Sequence, residues 1–447
     1  MRRQASDGQD LARPWQRDLL HLLVGTACGL SLGLVLHRIA PRAPPSDAQR
    51  FTAVEQFVRD LYVRELDSRA LTDAALRGMV ESLDPYSRYY SREELAAMER
   101  ETSGHFRGIG VVFARPIEEG RILFSMPDSP ADRAGIGVGD RFLEIDGHPL
   151  AGLEAAQIHR LLAEAPDEEG AVQLLVRSRD GSDRSLALER IDLVDPTVRH
   201  ARLLDPELGL GYIAITSFSQ ETPKEFDAAV GELKRRGLKG LVVDVRGNLG
   251  GVLRSAVTLA NRFVPSGLIV SQEGRGEPLR YEAEASEAWY ADMPLAVLVD
   301  GESASASEVF AAALQEHRAA VVVGTPTYGK GMVQQVRTFG DEAAVKLTTA
   351  YYYTPSGRNL ERTVEKAWET GVVPDLAVAL TEAERREVAR FRESYGPPPE
   401  DRAAIEAWES AEGTQLLPRE PPDAQLDAAL ALFHGQKPGS RLAEAGK

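Results

Sequence analysis

The rhythm of apolar and polar positions changes several times along the chain, and each rhythm predicts a different element. The first is an unbroken apolar run from Leu19 to Leu36, LLHLLVGTACGLSLGLVL, with Arg2, Arg3, Arg13 and Arg17 before it and His37 and Arg38 after it. A helix of that length reaches about 27 Å, close to the ~30 Å hydrocarbon core of a bilayer. No small-x-small cleavage site follows, so helix 19–36 reads as an uncleaved single-pass anchor with a cytoplasmic N-terminus rather than a removed signal. Cys28 offers a lipoprotein reading instead, but Gly25-Thr26-Ala27 lacks an aliphatic start and apolar sequence continues beyond the cysteine.

After Pro41, Pro44 and Pro45 the apolar residues recur at three- and four-residue spacing. Phe51, Val54, Phe57, Val58 and Leu61, then Leu71, Leu76, Met79, Val80 and Leu83, predict a small helical region. From Gly104 to about Asp192, short runs such as IGVVFA, RILFSM, RFLEIDG and VQLLVRS are broken by Gly, Asp and Pro. They predict a compact β-rich domain with one helix near 153–164. From Pro196 onward apolar strands (GLGYIAIT, GLKGLVVDVR, MPLAVLVD, AAVVVG) alternate with helical segments near 222–236, 252–263 and 306–316, the pattern of an α/β domain. Beyond Thr381 the chain is polar and helical, with a Pro-rich break at 396–399. The expected organisation is multidomain α/β: tail and membrane anchor 1–45, helical N-terminal region 46–103, β-rich domain 104–192, α/β core 193–380, C-terminal helices and tail 381–447.

Charge and composition narrow the chemistry. Lys+Arg 52 against Asp+Glu 68 leaves a net charge of −16 over 447 residues, without the basic footprint that nucleic acid requires. The single cysteine excludes an intramolecular disulfide, and no Cys/His cluster has zinc spacing, so neither metal nor cofactor is expected. Only eight of the cations are lysines, none before Lys224. A lysine in a special setting therefore stands out.

Three segments could carry chemistry. In LAVLVDGESASASEVF a strand ends at Asp300 and a helix begins near Ala306, which puts Ser305 at a corner where free backbone N–H groups can hold an oxyanion. The same residues, Ser305 followed by Glu308, also read as an ordinary capping box. In GLVVDVRGNLGGVLRSAV the glycines at 247, 250 and 251 permit close backbone approach, or simply make a tight βα turn. In VVVGTPTYGKGMVQQV, Lys330 lies between two glycines and shares a strand face with Met332 and Gln334. Arginine cannot act as a base, whereas a lysine with a proton affinity lowered by burial can, and together the segments suggest a Ser–Lys pair.

With these residues in hand, the chain resembles the carboxy-terminal processing peptidases, a Ser–Lys group of secreted or membrane-anchored enzymes. The resemblance spans about 51–380 and rests on SASASE (303–308), YGKGMVQQ (328–335), DVRGNLGG (244–251), KLTTAYYYTPSGR (346–358), GVVPD (371–375) and RGMVESLDPYSRYY (77–90). It implies Ser305 as nucleophile, Lys330 as general base, Gln334 as the residue that orients the lysine, and the N–H groups of Ala306 and of Gly250 or Gly251 as the oxyanion hole. Glu302 stands where the family has a glycine. FRGIGVVF (106–113) and SPADRAGIGVGDRFLEIDG (129–147) resemble a PDZ domain, in which Gly108, Ile109 and Gly110 would receive a peptide's terminal carboxylate.

The implied function is a membrane-anchored serine endopeptidase at the bacterial inner membrane, facing the periplasm. It would cleave protein or peptide substrates near free C-termini, with room for a homo-oligomer and an adaptor protein. Two other classes stay open: a PDZ scaffold with an inactive protease domain, and an acyl-transfer enzyme acting on a small thioester.

Overall fold

The computed structural model describes residues 19, 21–27, 29, 46–163, 171–340, 343–362 and 371–434. Those described between 19 and 29 are helical, while half of the expected anchor helix 19–36 lies outside the described residues. Among the described residues no helix is long and apolar enough to cross a membrane. The chain divides into two compact units, Met1–Ala75 and Leu76–Lys447.

In the first unit, helix α1 (Asp47–Leu61) starts at Ser46, whose side chain and Gln49 form a capping box. Its apolar residues Phe51, Val54, Phe57 and Leu61 are all exposed. Helix α2 (Ser68–Glu81) crosses the boundary between the units.

After the end of α2 the second unit continues with a strand that periodicity did not predict, β1 (Arg88–Ser91), followed by α3 (Arg92–Ser103). The β-rich lobe comes next. It contains β2 (His105–Gly108), β3 (Val111–Phe113), β4 (Ile122–Ser125), the short helix α4 (Pro130–Arg133), β5 (Arg141–Ile145), β6 (His148–Pro149), α5 (Ala155–Ala163), β7 (Val172–Arg177), β8 (Asp183–Leu188) and β9 (Ile191–Val194). These strands form three small sheets, pairing β2 with β9, β3 with β4, and β6-β5-β7-β8, rather than one continuous sheet. Ile109, Phe113, Ile122, Phe142, Ile145, Ile158 and Val176 fill the lobe's core.

The α/β core follows: β10 (Val198–Asp205), β11 (Leu210–Ile215), α6 (Thr222–Arg235), β12 (Gly240–Asp244), α7 (Leu253–Asn261), β13 (Leu268–Gly274), β14 (Leu279–Glu282), β15 (Leu295–Val299), α8 (Ala306–Glu316), β16 (Val321–Gly324), β17 (Met332–Phe339), β18 (Ala343–Tyr353) and β19 (Leu376–Ala377). The main sheet has the order β10-β11-β12-β15-β16-β19 and is parallel except where β10 meets β11. Strands β12 and β15 are buried along their whole length, which is why they read as continuous apolar runs. Val243, Val297 and Val322 point into the cluster with α6, α7 and α8, while Val242, Leu298 and Val323 point to the opposite face. A second sheet, β1-β18-β13-β14 with β17 on β18, places the unpredicted β1 against Ala343–Lys346.

The residues beyond 380 have two uses. Helices α9 (Glu382–Glu393) and α10 (Pro399–Glu412) precede α11 (Ala424–His434), and α11 covers the second face of the main sheet through Leu426, Ala429 and Phe433. Helix α10 packs Ile405 and Trp408 on Ala114, Leu123 and Phe124 of the β-rich lobe.

Candidate active site

Strand β15 delivers the chain to a turn at Asp300 whose side chain organises everything after it. Asp300 Oδ1 accepts from the N–H groups of Gly247 (2.9 Å), Glu302 (3.0 Å) and Ser303 (3.1 Å), so one carboxylate ties two strand-to-helix turns together. Ser303 and Ser307 are fully buried and donate their hydroxyls to the carbonyls of Val245 (2.8 Å) and Asn248 (2.9 Å). Ser305, between them, is partly exposed. Its backbone, at φ 57° and ψ −113°, lies where L-residues are strained, and the surrounding bonds hold it there. Ser305 and Glu308 do form the capping box that the sequence suggests.

The opposing turn approaches within van der Waals limits. A Cβ on Gly250 would lie 2.9 Å from Ser305 Cβ and 3.0 Å from Ala306 N, and Gly250 has φ 105°. Only glycine permits that approach. The N–H of Gly250 donates to Asn248 Oδ1 at 2.9 Å. Among the described residues the N–H groups of Ala306 and Gly251 have no hydrogen-bond acceptor.

Lys330 arrives from the coil between β16 and β17, and the group that positions this coil is Glu308. The side chain of Glu308 is completely buried and accepts four bonds: from Ser305 N (2.8 Å), Thr327 Oγ1 (2.6 Å), Gly329 N (2.7 Å) and Lys330 N (2.8 Å). Burial pushes its carboxyl above the usual range although all four bonds favour the ionised form. Sequence reasoning gave Glu308 a capping role alone, and nothing in its spacing shows that it also clasps a loop over twenty residues downstream.

The amine of Lys330 lies 4.8 Å from the centre of the Tyr86 ring. Burial, then the neighbouring Lys346, lowers its proton affinity, opposed by Glu361 and Glu308. No hydrogen bond joins Lys330 Nζ to Ser305 or to Gln334. Gln334 instead donates to Thr348 Oγ1 across the β17–β18 ladder (3.3 Å), and Thr348 donates to Asp84 Oδ1 (3.1 Å). The structure thus brings Ser305, Ala306, Gly250 and Gly251 together at one corner and ties the Lys330 loop to it, while the Lys330 and Gln334 side chains are engaged elsewhere.

In the β-rich lobe Gly108 ends β2, and Gly108, Ile109 and Gly110 are all buried. The carbonyls of Ile109 and Gly110 accept from Ala131 N (3.0 Å) and Met126 N (2.8 Å). The following strand β3 pairs with β4 on one edge only among the described residues. An unpaired edge beside a glycine-rich turn is the arrangement that an added peptide strand uses.

Comparison with known proteins identifies the family. Residues 209–378 match peptidase family S41 and residues 125–177 match a PDZ domain. The carboxy-terminal-processing protease of Bartonella bacilliformis is 33% identical over 405 residues, covering 87% of this chain and 88% of that protein. The chain belongs to this peptidase family. The carboxy-terminal processing protease CtpA of Bacillus subtilis is also 33% identical, over 333 residues that cover 73% of this chain and 69% of the relative. Among solved structures, the photosystem II D1 C-terminal processing protease aligns over 78% of this chain and 98% of its own, with 28% identity and a TM-score of 0.44. The protein is therefore a serine peptidase of the carboxy-terminal processing type carrying a PDZ domain. Within this S41 peptidase the PDZ match falls in the β-rich lobe, and the S41 match begins at Gly209, just before β11.

Proposed function

We propose that the peptidase works by a Ser–Lys mechanism. Ser305 Oγ attacks the scissile carbonyl, Lys330 Nζ takes its proton and returns it to the departing amine, and water then hydrolyses the acyl-serine. The N–H groups of Ala306 and Gly251 are the oxyanion donors. Gly250 contributes through the closeness of its backbone, and Gln334 aims the amine once Lys330 approaches the serine. The observation that carries this reading is Glu308, which binds the N–H groups of Ser305 and Lys330 with one buried carboxylate oxygen. Gly108, Ile109 and Gly110 receive the substrate's terminal carboxylate, and β3 pairs with the residues before it. The apolar run 19–36 anchors the enzyme in a bacterial inner membrane with its catalytic part in the periplasm.

The test is mass spectrometry of products from an unstructured protein, with a pH–rate profile. A free lysine, with a pKa near ~10.4, is well under 1% neutral at pH 7. Since burial lowers that value here, wild-type turnover rises with pH through an ionisation below that of free lysine. Ser305→Ala and Lys330→Arg both abolish turnover, the latter because arginine stays protonated. An active Lys330→Arg enzyme, or an active Ser305→Ala enzyme, overturns the mechanism.

A further inference from the structure

The ring under the Lys330 amine stands on an unusually well-tied turn. Asp84 accepts from Tyr86 N (2.8 Å), Ser87 N (2.8 Å), Ser87 Oγ (2.7 Å) and Thr348 Oγ1 (3.1 Å), and Ser87 Oγ accepts from Thr348 N (3.1 Å). The phenol of Tyr86 neighbours that of Tyr328, two residues before the lysine, and is pushed up to about 12 by burial, then by Tyr328. The turn leads directly into β1, which is paired along β18. One turn far from the active-site motifs in sequence therefore holds both side chains expected to serve the serine: Lys330 through the ring of Tyr86, and Gln334 through Thr348.

We propose that Tyr86 is a positioning residue for Lys330: its ring seats the lysine as an ammonium ion that makes no hydrogen bond to Ser305, so that release from the ring and loss of the proton go together. An ammonium is attracted to the face of an aromatic ring, and a neutral amine has no such attraction. The other charged groups acting on the amine are Lys346 on β18, Glu308 on α8 and Glu361 after β18. Burial, then Lys346, disfavours the charged form, the two carboxylates favour it, and the ring is the uncharged group that favours it as well. A lysine so seated becomes a base when it leaves the ring and bonds to Ser305 instead. The consequence for catalysis rests on the Ser–Lys reading, but the seating itself is measurable without turnover.

With eight lysines in the chain, amine acetylation across a pH series can be resolved residue by residue by mass spectrometry on the full-length protein. Tyr86→Phe keeps the ring face, and pentafluorophenylalanine at position 86 keeps the size but removes the attraction. The phenylalanine variant should keep the Lys330 midpoint close to wild type, and the fluorinated ring should lower it by about half a pH unit or more, with Lys224 unmoved. An identical Lys330 midpoint with both rings overturns the proposal. If the fluorinated protein does not fold by circular dichroism, Tyr86→Met is read the same way. The cleavage profile separates the two readings. A labelling midpoint that moves together with the rate profile supports both, whereas one that moves without it keeps the seat of Lys330 and removes its role as base.

Discussion

Glu308 has no spare acceptor capacity to lose: its two oxygens each take two donors, from both sides of the candidate active site. Glutamine at this position keeps the shape but turns one end into a donor facing donors. Glu308→Gln is therefore expected to cost about 2–4 kcal/mol of stability, from buried groups left unsatisfied. It should also reduce kcat at least tenfold by freeing the Lys330 loop from the serine corner, with a smaller change in KM. Thermal melting and steady-state kinetics of the variant check both. At this scale the sequence disclosed the strand-to-helix corners at 244–253 and 299–306 and a lysine between two glycines, because local spacing determines those. It did not disclose Glu308's reach to Thr327, Gly329 and Lys330, or Tyr86 beneath the lysine, because such contacts depend on distant segments meeting in three dimensions.

Helix α9 docks on β10 where that strand has a register shift, between Arg199 and Arg202. His200 in the shifted segment stacks on Phe391 with ring centres 4.3 Å apart. Burial, then Arg202, lowers His200 to about 4, below the ordinary 6.5. The folded state thus resists protonation that the unfolded chain accepts. The stability this confers is complete above pH ~6.5 and is lost as pH falls through about 4, amounting to about 1–3 kcal/mol. A melting series from pH 7 to 4.5 should show the slope, and His200→Gln should flatten it. The helices at 155–163, 222–235, 253–261 and 306–316 match the periodic segments closely, since each is amphipathic or capped within its own sequence. Strand β1 was illegible because its four residues, RYYS, become a strand only by pairing with β18.

Across the whole molecule, the PDZ-bearing lobe is held by a helix from the other end of the chain. Trp408 on α10 is buried against Leu123 and Phe124, with Arg121 over its ring at 5.4 Å and paired to Glu412 at 2.6 Å. Trp408→Ala should cost about 3–5 kcal/mol at this contact and raise hydrogen exchange in residues 111–125 while leaving the main sheet protected. A peptide with an amidated C-terminus should be cleaved more slowly than the free acid at low concentration, since an amide cannot make the charge-assisted bonds proposed for a carboxylate at Gly108–Gly110. Equal rates for the two peptides would argue against carboxylate capture at Gly108–Gly110. The position of α11 adds a constraint in time. The sheet face formed by Leu210, Tyr212, Val242, Ala296 and Leu298 stays wet until residues 424–434 have left the ribosome. A chain interrupted before that point carries Ser305 on an unfinished scaffold whose sheet keeps a bare apolar face.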